Sequence, residues 1–167
     1  MKLRILFFPI VAFSLSAHAQ TVVQEPVLSA NAAITVARAA LEHCRKEGQK
    51  VSVTVVDQTG RAKVMVRDDG AAPHSGEHSF RKAYTALTYK TTSADYGKRV
   101  AEAKSAAIGP QLLPNLTSAA GGVPIRSGNA VVGAVGVSGT PGSAGGGAGD
   151  AKCAEAGIEA IAKDLGK

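Results

Sequence analysis

Six side chains within one short stretch of this 167-residue chain carry much of its chemical potential: His74, His78, Phe80, Arg81, Lys82 and Tyr84. An imidazole ligates metals through a ring nitrogen and titrates near neutrality. Arginine gives a carboxylate two parallel hydrogen bonds, whereas lysine acts as a point charge. Phe80 and Tyr84, four residues apart, share one face of a helix. His74 and His78 have the same spacing, but Gly76 between them and Pro73 before them argue for a loop. Histidines in such loops are ordinarily surface residues. One of Arg81 and Lys82 reads better as part of a solvated helix face. His43 reads as a rim position on an earlier helix.

The remaining candidates are weaker. Asp57, Asp68 and Asp69 carry cation-binding carboxylates, yet turn aspartates usually cap backbone amides. Ser138 does not sit in a nucleophile elbow, because Thr140 stands where a glycine is required. Gly145 to Asp150 lacks the lysine and hydroxyl residue of a phosphate loop, and Asp150 is expected to cap the helix that follows. No nucleophile and base stand together in the sequence, which speaks against hydrolysis. Cys44 and Cys153 are the only cysteines. They allow one disulfide or a pair of buried thiols, and make no metal motif.

These residues must be positioned by a core, and the composition provides for one: 45% of residues are hydrophobic and 19% charged. That excludes general disorder. A net charge of +6 without a basic run gives no footprint for nucleic acid. Lys2 and Arg4, the apolar run Ile5 to Leu15 and Ala17-His18-Ala19 have the form of a signal peptide over residues 1–19. The expectation is export to the periplasm or medium, with no membrane span after cleavage. Residues 20–27 read as a leader and 28–167 as a single domain.

Within that domain Ser29 caps a first helix with Ile34, Ala37, Leu41 and Cys44 on one face. Val51 to Val56 and Ala62 to Arg67 flank an Asp-Gln-Thr-Gly turn as a hairpin. A helix from about Glu77 and a shorter one from Ser93 follow. Val123 to Arg126 and Ala130 to Ser138 form a second hairpin. A last helix carries Ile158, Ile161 and Leu165. The order helix, hairpin, helices, hairpin, helix predicts an α+β domain, a mainly antiparallel sheet with flanking helices. Eleven of the 19 glycines lie between Gly121 and Gly149. Glycines weaken a strand unless something approaches its backbone closely, and a ligand or a neighbouring subunit would serve.

Several motifs occur in a fixed order: Asp57-Gln58-Thr59-Gly60, Arg67-Asp68-Asp69-Gly70-Ala71, Arg81-Lys82-Ala83-Tyr84-Thr85-Ala86, Gly121-Gly122-Val123-Pro124-Ile125 and Val132 to Gly139. Asp150 with Cys153 to Ile158 completes the set. Together they resemble the GlcG/HbpS family of haem-binding proteins, specifically its exported members, over Leu28 to Ile161. The resemblance implies an α/β sandwich, a homo-oligomer, and haem or a related tetrapyrrole as ligand. On that basis His74 is the candidate for the haem iron, with His78 second and Tyr84 or Tyr89 as phenolate alternatives. Phe80 and Tyr84 would line the slot, and Arg81 or Lys82 would meet the propionates. The expected function is haem binding in storage, sensing or delivery. The alternatives are a small enzyme or accessory factor acting on an organic metabolite in the same pocket, and a structural oligomer without ligand.

Overall fold

The computed structural model describes residues 23–102, 113–142 and 147–166. The export segment, and the first residues of the Gly145 to Asp150 stretch, lie outside the described residues. The elements run α1 (Ala30–Lys46), β1 (Ser52–Asp57), β2 (Ala62–Arg67), α2 (Ser75–Tyr89), α3 (Ser93–Glu102), β3 (Gly122–Ser127), β4 (Ala130–Ser138) and α4 (Ala148–Glu159). A 3-10 turn, Ala162–Asp164, follows. No described helix is long and apolar enough to cross a membrane.

Local chemistry sets these boundaries. Ser29 opens α1 by accepting the Ala32 amide on its hydroxyl at 3.1 Å. Asp57 closes the first hairpin, its carboxylate accepting from the amide and hydroxyl of Thr59. The four strands form one antiparallel sheet in the order β2-β1-β4-β3. Its central pairing sets Ser52 opposite Ser138 and Asp57 opposite Gly133.

Alternation along the strands gives the sheet two unlike faces. Val53, Val55, Val135 and Val137 point into the main core, where α1 and α4 pack. The buried stripe of α1 is Ala33, Val36, Ala37, Ala40, Leu41 and Cys44. Ile34, expected on that stripe, is 44% exposed. Small residues let α1 and α4 approach closely: a methyl at Gly157 of α4 would meet the Val36 carbonyl. A disulfide between Cys44 and Cys153 joins the same two helices and settles the cysteine alternative.

The other face is made of Ser52, Thr54, Ala134, Gly136 and Ser138, and α2 lies on it. Its hydroxyls are paired, Ser52 with Ser75 and Thr54 with Ser79, each at 2.7 Å. Buried hydroxyls are tolerated because they are satisfied in this way. Side chains at Gly122 and Gly136 would overlap the carbonyls of Lys82 and Ser79. Helix α2 of the same chain is therefore the close neighbour of these two glycines, and neither ligand nor subunit is needed to explain them.

Three boundaries differ from expectation, one being the end of α4 at Glu159, which leaves Ile161 and Leu165 beyond the helix. Helix α2 begins at Ser75 rather than Glu77, and the His78 amide donates to the His74 carbonyl at 3.0 Å. The Ser75 hydroxyl donates to the Ala72 carbonyl and the Ser79 hydroxyl to the Gly76 carbonyl. These bonds hold the first turn despite Gly76. Helix α4 is capped by Gly147, not by Asp150, which sits in its first turn and faces inward.

Candidate functional site

Because α2 starts early, His74, His78 and Lys82 fall at successive turns along one flank of it. They border a cleft of about 400 Å³ closed on the other side by Ser138, Thr140 and Asp150. His74 is the residue preceding the helix, and its exposed ring stands 6.5 Å from that of His78. The doubt over a shared helical turn is removed by this geometry.

His78 is half-buried and held at both ring nitrogens. Its Nδ1 lies 3.2 Å from the Ser138 hydroxyl and its Nε2 3.3 Å from the Thr117 hydroxyl. A neutral imidazole satisfies both, donating at one nitrogen and accepting at the other. Burial holds this ring below the ordinary histidine pKa, and the Lys82 ammonium lowers it further.

Lys82 overturns the expectation of a solvated or pocket-mouth cation. Its Nζ donates to Asp150 Oδ2 at 2.6 Å, and the two side chains are only 2% and 3% exposed. Burial pushes the lysine pKa down while Asp150 opposes that shift. The other carboxylate oxygen accepts the Thr140 amide at 3.0 Å. Glycine at 121 makes room, since a side chain there would meet both Asp150 and Lys82. Neither this pair nor Ser138 with His78 was legible as a contact: the partners are separated by 68 and 60 residues. The available signal was the run of small residues along β4, which announces a close neighbour.

Arg81 remains the accessible cation, 39% exposed and paired one turn back with Glu77. Phe80 and Tyr84 do form a pair, ring centroids 5.8 Å apart. They sit on the opposite flank of α2 from the histidines: Phe80 packs toward Val56 and Ala83, and Tyr84 against Gly60. The structure thus separates the expected aromatic wall from the expected iron ligand. Tyr89 stacks on Tyr96 at 4.2 Å beneath Arg99. Among the described residues no group of three or more His, Cys, Asp or Glu could hold a metal ion.

A family model described as haem degrading protein HbpS-like matches residues 28–159. Protein GlcG of Escherichia coli (strain K12) is 34% identical over 111 residues, covering 66% of this chain and 81% of GlcG. A double mutant of HbpS from Streptomyces reticuli has a similar structure, with a TM-score of 0.77 at 34% identity over 90% of this chain and 98% of that one. The PduOC haem complex gives a TM-score of 0.72 at 27% identity, over 81% of this chain and 96% of PduOC. The chain belongs to the HbpS-like family.

Proposed function

We propose that the protein is an exported, homo-oligomeric haem-binding protein in which His74 ligates the iron. The observation that carries this reading is the exposed imidazole of His74 at the mouth of a cleft, in a chain similar to a protein solved as a haem complex. Imidazole is a frequent axial ligand, and an exposed ring requires no rearrangement to reach iron. Arg81 is placed one helical turn beyond His78 and is free to exchange Glu77 for a propionate.

The fit of one chain to haem is partial. Lys82 is committed to Asp150, and Phe80 and Tyr84 lie across the helix from His74. A haem held at His74 therefore needs an apolar cover from elsewhere, and a second copy of the chain supplies one most simply. Bound haem would supply a redox-active iron; the chain's residues hold and orient it. The disulfide supports an oxidising compartment, in keeping with the export signal read at residues 1–19. Reversible capture there would serve storage, sensing or delivery.

Electron paramagnetic resonance of the haemin complex tests the ligand. The parent should give a histidine-ligated ferric signal that His74→Ala removes; an identical signal in the variant refutes His74.

A further inference from the structure

Behind His74 the cleft turns polar. An amine, a carboxylate, an imidazole and two hydroxyls line its inner wall: Lys82, Asp150, His78, Ser138 and Thr140. The Thr140 Oγ1 is buried and has no hydrogen-bond partner among the described residues. Such an atom costs stability that a ligand hydroxyl would restore. The inner pair is neutral overall, one ammonium against one carboxylate, which favours an uncharged ligand over an anion.

We propose that Lys82 is a carbonyl-reactive amine which forms an imine with a short, hydroxylated aldehyde or ketone held in this cleft. This site lies behind His74 in the same cleft, and the claim does not rest on the haem reading.

Burial narrows the gap between a charged lysine-carboxylate pair and a neutral amine-acid pair, so proton transfer inside the pair becomes accessible. Asp150 Oδ2, 2.6 Å from Nζ, takes one ammonium proton. The freed amine adds to the carbonyl carbon, forming the N–C bond, and a proton passes from nitrogen to the former carbonyl oxygen. Asp150 then returns its proton to that hydroxyl; the C–O bond breaks and water leaves. The product is a protonated imine, with no net oxidation. Its positive charge stays beside the Asp150 carboxylate, so the carboxylate is never left buried and unpaired. The Ser138 and Thr140 hydroxyls are the groups available to a substrate hydroxyl, and the His78 ring, held at both nitrogens, orients Ser138.

The test treats the disulfide-intact protein with dihydroxyacetone and cyanoborohydride, then maps the reduced adduct by peptide mass spectrometry. Labelling of Lys82 should saturate with dihydroxyacetone concentration, as a carbonyl held in the cleft requires, whereas labelling of exposed Lys50, Lys63 and Lys98 should rise in proportion to it. Asp150→Asn removes the group that takes and returns the proton, so the saturable labelling of Lys82 should fall about tenfold. Adduct spread over the exposed lysines with Lys82 unmodified overturns the proposal. This parent-protein map decides the matter even if Lys82→Arg or Asp150→Asn fails to fold. A haemin titration of the same preparation reports separately on the haem reading, and either claim can fail alone.

Discussion

Asp150 Oδ2 stands 2.6 Å from Lys82 Nζ, joining the first turn of α4 to the middle of α2 across the end of the sheet. Both side chains are almost fully buried. The energetics of such a pair are asymmetric: it adds little over a well-packed apolar pair, but losing one partner strands a charge. Asp150→Ala should therefore cost about 3–5 kcal/mol in urea unfolding. Lys82→Met combined with Asp150→Leu should cost less than Asp150→Ala alone. Equal losses in the single and double variants would contradict a coupled pair.

Glycine at 136 is set by the backbone of α2 rather than by strand propensity. A methyl group there would overlap the Ser79 carbonyl and crowd the Ala83 amide. Gly136→Ala should destabilise the protein by at least about 1–3 kcal/mol, the usual cost of overpacking. Gly128→Ala, in open space at φ +55°, serves as comparison and pays only for backbone strain. Thermal unfolding of the two variants checks the order, and a Gly136→Ala protein as stable as Gly128→Ala would refute the close approach.

The disulfide ties α1 to α4 across a sequence separation of 109 residues. Constraint of an unfolded chain over so long a loop is worth about 4–5 kcal/mol in the chain-entropy model. Cys44→Ala with Cys153→Ala should lower the urea midpoint accordingly, and thiol titration of the unfolded, unreduced parent should find none. Two titratable thiols would contradict the bridge.

Stability should also fall on mild acidification. His78 is held below its ordinary value of 6.5, chiefly by burial, so the unfolded chain takes up its proton first. The loss begins near pH 6.5 and continues down through the lower folded value. Above that window the contribution is constant. Asp68 acts lower, because the Arg45 hydrogen bond depresses its carboxyl below 3.8; its contribution is lost as pH falls through that depressed range. Urea unfolding at about pH 7.5, 6.5 and 5.5 should show the first loss in the parent, reduced in His78→Gln. An identical slope in both would remove His78 as its source.

Element order, the two hairpins and the Ser29 cap were legible because each rests on local pattern: alternation in β1, a turn sequence after Asp57, a capping hydroxyl before α1; the central pairing of β1 with β4 is non-local and was not. The start of α2 was not, since Gly76 reads as a breaker and the serine hydrogen bonds that hold the turn depend on their surroundings. His74 and His78 were singled out by residue type, and the structure sets both on one cleft. Lys82 was misjudged because a lysine's burial depends on a partner 68 residues away. Phe80 and Tyr84 were rightly paired with each other but wrongly set beside His74, since i and i+4 spacing fixes a shared face without saying which neighbour that face meets.

Haemin titration of the purified protein, followed in the Soret region, tests haem binding most directly. The account predicts a shifted band that saturates at one haem per chain or per pair of chains. His74→Ala should move the band and weaken binding more than His43→Ala, whose target lies on α1 away from the cleft. Weak, non-saturating binding by the parent would contradict the account.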